Sequence, residues 1–436
     1  MNSKMNTQFS SLTIEINNLL SKIEKKKQGI FITPRSIIDS LTEEILIYIK
    51  QNQLKIKRIL EPSCGTCEII SVLNNSFNNT SITGVELNSI IFEKIKFINF
   101  TSSNTIELIN NDFINHSSEY KYDLIVANPP YIVCEKPKSK PKTKKNIKTE
   151  IPDKTEIPDK TEIPTNYLEL CIGRPNLFCI FIIHSLHLLN DNGIAAFIIP
   201  KSFLNSHYYS LVRHYIKSCC SIVKIMYFDN DFIDTDQSTI GIILHKQSVL
   251  PTLLCEYSIK LNDNFIFTTN KQQLEELFAG STTLEQMGLS VKTGNIVWNE
   301  KKDLLTSDSS KTLLLYNSNI TKDNNIKIME FKNKEKKQYI NIEGSINPVI
   351  VVNRGNGNAV YKLNYALLDI DTHFICENHL NVIYSKTIQS KDELLKIYNT
   401  IIESFQNPKT LLFINLFCGN NALSKTELET IFPIYI

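Results

Sequence analysis

The chain has 436 residues, of which 42% are hydrophobic and 21% charged, an ordinary globular balance with room for two or three domains that each bury a core. A formal net charge of only +2 excludes nucleic-acid binding through overall charge and leaves that task to local clusters such as Lys25-Lys26-Lys27, the lysines of 136–148 and those of 332–337. No apolar run is long enough to cross a bilayer and no leader pattern opens the chain, so a cytoplasmic protein with no membrane contact is expected.

From about residue 55 to 245, short apolar runs alternate with helical spacers, the pattern of a doubly wound α/β sheet. Strands are predicted at 57–60, 81–87, 105–109, 122–127, 193–199, 222–228 and 240–245. In such a sheet a ligand binds outside the carboxyl ends of the strands. The first strand ends in Glu61-Pro62-Ser63-Cys64-Gly65-Thr66-Cys67, whose small residues let backbone N–H groups approach a ligand ahead of a helix start that favours a negative group. Cys64 and Cys67 form a Cys-x-x-Cys pair, but no second pair with metal spacing accompanies it. The ten cysteines are read as reduced thiols, and no metal is expected. The second strand closes on Glu86-Leu87, where a carboxylate can accept both hydroxyls of a ribose. The third leads into Asn111-Asp112-Phe113, an acceptor beside a ring, suited to the amino edge and the face of an adenine. Taken singly, Glu86 and Asp112 read equally well as turn or cap residues.

The fourth apolar run, 123–127, stops in Asn128-Pro129-Pro130-Tyr131. Proline fixes φ and donates no ladder hydrogen bond, so the loop is rigid and its carbonyls can accept. The Asn128 side-chain oxygen and a proline carbonyl can together hold one exocyclic amino group, with Tyr131 as a face for a planar ring. The plainer alternative is a strand-ending turn with Asn as an ordinary turn residue. Four such loops in this order describe a nucleoside site beside an amino-group receptor.

Residues 134–166 interrupt the pattern, with seven lysines from Lys136 to Lys148 and then the repeat Thr-Glu-Ile-Pro-Asp-Lys from Thr149 and again from Thr155. Proline at this spacing prevents a helix or central strand, so a flexible insertion is expected, its lysines either touching phosphates or having no mechanistic part. Beyond about residue 250 the pattern turns to irregular short strands and polar loops, with helical periodicity only at 391–405. Two domains, 1–250 and 251–436, are therefore expected, the second of mixed α+β character.

These motifs, in this order, resemble the amino-type DNA methyltransferases that modify adenine at its exocyclic nitrogen, in the gamma arrangement found among type II restriction-modification methylases. The resemblance implies a Rossmann-like sheet of seven strands with the last antiparallel, S-adenosylmethionine as cofactor, and target recognition in the C-terminal domain. Gly29-Ile30-Phe31-Ile32-Thr33-Pro34 is similar to the family's aromatic-rich Thr-Pro segment, which places Phe31, Thr33 and Pro34 at the methionine end of the cofactor. By the same resemblance Glu61, Pro62, Cys64, Gly65, Glu86, Leu87, Asp112, Phe113 and Asn128 line the rest of the cofactor site. Asn128, Pro129, Pro130 and Tyr131 match the catalytic motif. Further matches are Pro175-Asn176-Leu177-Phe178, the stretch 193–203, and the segment around Phe232, which offers a second face for a flipped adenine or else an ordinary loop aromatic. Cys67 stands where the family usually has glycine, so a thiol is expected near the cofactor.

In the C-terminal half, 291–298, 352–361 and 417–428 resemble target-recognition segments. Arg354, Asn356 and Asn358 are the candidate base readers, or a turn cluster; Lys292 and Lys425 are candidate phosphate contacts. A monomer acting on double-stranded DNA is expected, with room for a cognate restriction endonuclease directed to the same site. The alternatives are a protein glutamine or RNA adenine methyltransferase, because both substrates present the same amino group, and a modification subunit of a larger restriction complex. A dinucleotide-dependent dehydrogenase fits poorly, since the three-glycine fingerprint is absent.

Overall fold

Strands covered on both faces by helices read as unbroken apolar runs, and those runs are what build the N-terminal sheet. A computed structural model of the protein describes residues 9–30, 32–134, 163–228, 238–247, 256–262, 264–355, 361–387, 390–417 and 422–436. Within it the chain separates into two compact units, residues 1–203 with 208–257, and residues 204–207 with 258–436.

The first unit is built on one sheet of seven strands: β1 (Arg58–Glu61), β2 (Ser81–Glu86), β3 (Thr105–Asn110), β4 (Tyr122–Ala127), β5 (Leu189–Pro200), β6 (Cys220–Phe228) and β7 (Thr239–Lys246). Their order is β3-β2-β1-β4-β5-β7-β6. The first five are mutually parallel, and β7 runs antiparallel to both of its neighbours. This is the methyltransferase sheet that the sequence implies. Strand β5 starts four residues earlier than predicted, because Leu189 pairs with Tyr122 across a bulge before the apolar run begins.

Helices α1 (Ser11–Leu19), α2 (Lys22–Gln28), α3 (Arg35–Gln51), α4 (Glu68–Ser76), α5 (Ser89–Ile95), α6 (Leu177–Leu188) and α7 (Ser210–Cys219) surround this sheet. The Ser10 side chain caps α1, and Ser21 and Glu24 form a reciprocal capping box at the start of α2. Helix α3 buries Ile37, Ile38, Leu41 and Ile45, a stripe at helical spacing, in the same core as Ile69, Ile70 and Leu73 of α4. Helix α6 is apolar almost all round and is buried accordingly, from Phe178 to Leu186 with His184 partly exposed. Among the described residues no helix is long and apolar enough to cross a membrane.

The second unit holds two four-stranded sheets. One runs Leu289–Thr293, Leu380–Ser385, Val349–Asn353, Tyr365–Leu368, with all neighbours antiparallel. The other runs Leu305–Thr306, Tyr339–Ile340, Thr312–Leu315, Phe374–Cys376. Helix Lys391–Gln406 buries Tyr398 and Ile401 in a core that also takes in Phe413 and Phe432.

Candidate cofactor and catalytic site

The loop after β1 is fastened to strands on both sides of it. The Ser63 hydroxyl donates to the Asn128 carbonyl at 3.1 Å, Cys64 N–H donates to Val85 O at 2.9 Å, and Gly65 N–H donates to Glu86 Oε2 at 2.8 Å. Gly65 holds φ +48°, a left-handed conformation that suits a residue with no Cβ and presents the loop backbone outward. Glu61 is buried and accepts from Ile70 N–H at 3.1 Å, and burial pushes its carboxyl well above the ordinary 4.5.

Cys67 also sits in the left-handed region, at φ +64°, directly before α4. Its backbone therefore does what a glycine would do there. The side chain is fully buried in the sheet–helix core and hydrogen-bonded to the free Cys64 thiol, which this contact and burial together push up. The expectation of a thiol beside the cofactor is thus corrected: the left-handed turn aims this Cβ into the core.

At the end of β2, Glu86 is only 8% exposed, accepts from Asn88 N–H at 2.6 Å as well as from Gly65, and has its pKa raised by burial. Leu87 and Ile90 beside it are 59% and 60% exposed, an apolar shelf next to a carboxylate. Asn111 N–H donates to Glu86 O at 3.1 Å, which brings the β3 loop alongside. There Asp112 Oδ1 accepts from Ile114 N–H at 3.0 Å. Phe113 departs from its expected place at an adenine face. It is 2% exposed and packs against Phe181 and His184, with ring centroids 4.8 Å and 4.7 Å away, because the single turn it opens rolls the ring under the loop.

Asn128 follows β4 and is held by two partners. Its Nδ2 donates to Thr33 Oγ1 at 2.8 Å, and the Tyr131 hydroxyl lies 2.9 Å from both Asn128 Oδ1 and Ile198 O. That hydroxyl stays protonated, since burial raises its pKa. The hydroxyl therefore bridges the Asn128 amide oxygen and the Ile198 carbonyl. Pro129 is buried, and Pro130 abuts Gly29, where an added Cβ at φ +63° would come within 3.0 Å of Pro130 and 2.8 Å of Ile132. Pro34 is buried at the start of α3, and Pro62 is buried in the β1 loop. Downstream, Leu177 N–H donates to Ile132 O and Cys134 N–H to Pro175 O, so the segment 175–178 backs the chain just after Tyr131 directly.

Thr33, Glu61, Ser63, Cys64, Gly65 and Asn128 line one cavity of about 60 Å³. Helices α1 and α2 contribute Ile16, Asn17, Leu20 and Lys25 to its wall, which the sequence reading missed. Helix α1 is fastened at Glu68 Oε1, which accepts from Ser10 N–H at 2.9 Å and from Thr13 Oγ1 at 2.5 Å. The space suits a few water molecules or one amino-acid head group, and its lining carries the carboxyl groups of Glu61 and Glu68 and the Lys25 ammonium. These residues fit the methionyl end of S-adenosylmethionine, with Glu86 and the Leu87 shelf left for the nucleoside.

Other candidates lie elsewhere. Phe31, Phe232, Asn356, Asn358 and residues 135–162 of the insertion fall outside the described residues. In the second unit Lys292 is exposed with its ammonium 4.8 Å above the Tyr384 ring, and Lys425 is exposed at the start of the helix Lys425–Thr430. Arg354 is half-buried and its Nη1 donates to Asn378 O at 3.0 Å, so it is anchored to its own fold where the sequence suggested a loose reader.

A family model described as Eco57I restriction-modification methylase matches residues 11–233. The chain is 27% identical over 435 residues to Type II methyltransferase M.CvrRI of Paramecium bursaria Chlorella virus XZ-6E, covering 98% of this chain and 99% of that one. It is also 27% identical over 448 residues to modification methylase CviBIII of Paramecium bursaria Chlorella virus NC1A, with the same coverage. Among solved structures, a DrdV–DNA complex matches 89% of this chain with a TM-score of 0.50 at 14% identity, and the match spans 53% of that longer chain. This likeness concerns the fold.

Proposed function

Because the chain belongs to the Eco57I restriction-modification methylase family and is an S-adenosylmethionine-dependent DNA methyltransferase, we propose that its target is the N6 amino nitrogen of an adenine flipped out of duplex DNA. The observation that carries this reading is that the Asn128 carboxamide forms part of the wall of the same cavity as the cofactor loop. An adenine amino nitrogen has its lone pair delocalised into the ring and attacks poorly. Asn128 Oδ1 and the Pro129 carbonyl accept its two N–H bonds, make the nitrogen more tetrahedral, and stabilise the positive charge that develops on it. The bound sulfonium supplies an electrophilic methyl: the N–C bond forms as the S–C bond breaks, and the extra proton then leaves nitrogen for water. No strong base is required. Holding both reactants in line provides much of the acceleration.

A base stacked in a duplex cannot reach this loop, so it must be extruded, at a cost of a few kcal/mol that stacking on aromatic rings offsets. Tyr131, half-buried with its hydroxyl tied to Ile198 O, presents a fixed ring for one face; Phe232 is assigned the other. The second unit is assigned target recognition, in the gamma arrangement, with Lys292 and Lys425 on phosphates and Arg354, Asn356 and Asn358 near base edges. The test is transfer of labelled methyl to duplex DNA, RNA or protein, followed by nucleoside analysis. N6-methyladenine in duplex DNA is expected. Label on cytosine, or only in RNA or protein, overturns the proposal.

A further inference from the structure

We infer that Lys25 is the cation that receives the α-carboxylate of S-adenosylmethionine, held ready for it by Asn17. Lys25 is the only cationic side chain among the described residues lining the cavity. Its Nζ donates to Asn17 Oδ1 across the gap between α2 and α1, which ties the ammonium to a second residue of the cavity lining. The lining also carries Glu61 and Glu68, together with apolar Ile16, Leu20, Ile69 and Ile91.

The charge pattern of the methionyl group matches these walls. Its ammonium and sulfonium are positive and suit a lining that includes the Glu68 carboxylate; its carboxylate is negative and needs a partner. An unpaired carboxylate among isoleucine and leucine side chains would be strongly disfavoured, and a lysine already desolvated on one side meets it without further ordering. Glu68 Oε1 accepts from Ser10 N–H and Thr13 Oγ1, while the Lys25 ammonium donates to Asn17 Oδ1. Asn17 is then a positioning residue. Neither residue belongs to the loops that the sequence motifs mark.

This inference rests on the cofactor site proposed above, which the unsubstituted chain's own affinity for S-adenosylhomocysteine tests separately. The decisive measurement is calorimetric binding of S-adenosylhomocysteine and of its decarboxylated analogue to the full chain and to Lys25→Met and Lys25→Arg. Lys25→Met is expected to weaken S-adenosylhomocysteine by roughly thirtyfold or more and to leave the decarboxylated analogue within about twofold, while Lys25→Arg recovers most of the loss. Unchanged binding of the analogue also shows that the site is folded. Equal weakening of both ligands, or of neither, overturns the assignment, the first by making Lys25 only a structural part of the α1–α2 cover.

Discussion

Thr33 accepts a hydrogen bond from the Asn128 amide at 2.8 Å, joining a residue of the segment before the first strand to the loop that follows β4, 95 positions later. Together with the Tyr131 hydroxyl on the carboxamide oxygen, the bond fixes the orientation of the Asn128 amide. Thr33→Val should lower kcat by roughly tenfold to a hundredfold through misplacement of the amide. Thr33→Ser should restore it. Steady-state kinetics with cofactor affinity measured in parallel checks this, and a loss confined to cofactor binding would count against the orienting role.

Asn128→Ala should reduce methyl transfer by at least about a hundredfold, the usual scale for removing one preorganised polar group from a transition state. Binding of S-adenosylhomocysteine should change little. Tyr131→Phe keeps the ring and removes only the hydroxyl shared between Asn128 and Ile198, so activity should fall by less than about tenfold. Tyr131→Ala removes the stacking face and should lose a further 1 kcal/mol or more, roughly, in binding of the extruded base. Equal activity of the two Tyr131 variants would refute a stacking role.

Glu86 favours its neutral form more than an ordinary glutamate, since burial raises its pKa above 4.5. The folded chain therefore retains a proton that the unfolded chain has released, and this group's contribution to stability declines as pH rises from 4.5 through the raised value. Cofactor binding runs the opposite way, because accepting ribose hydroxyls calls for the carboxylate. Affinity should fall on acidification while pH is still above 4.5. Glu86→Gln should bind more weakly and flatten that profile. Titration calorimetry across mildly acidic pH decides the matter.

Cys67 combines a left-handed backbone with a fully buried side chain. Cys67→Gly relieves a conformational cost of about 1–2 kcal/mol and leaves a small void of comparable cost, so its stability should stay within about 1 kcal/mol of the parent. Cys67→Ala keeps the strained backbone and still loses the sulfur, and should be the less stable of the two. Urea unfolding of both variants gives the ranking; the reverse order would mean that the thiol contact with Cys64 outweighs the backbone term.

The sheet was legible because its strands are short apolar runs that have to be covered on both faces, and the loops because Gly65, Glu86 and Asn128 sit at strand ends where chemistry collects. Phe113 was misplaced because periodicity does not reveal which way a ring turns after a strand. The cover formed by α1 and α2 was overlooked although Ser21 and Glu24 spell a capping box. Lysine-rich helices look like solvated surface in a sequence, and only the tertiary contacts of Thr13 with Thr66 and Glu68 bring Lys25 over the cofactor loop. The Thr33–Asn128 bond has no local signature at all.

The strand that delivers Asn128 lies inside the sheet, flanked by β1 on one side and β5 on the other. Its amides have no edge from which to fray, and in hydrogen-exchange terms they belong to the slowest class, released only when the whole unit opens. Heat or denaturant should therefore not blunt this enzyme by gradual loosening around Asn128. Activity and native sheet should vanish in a single transition.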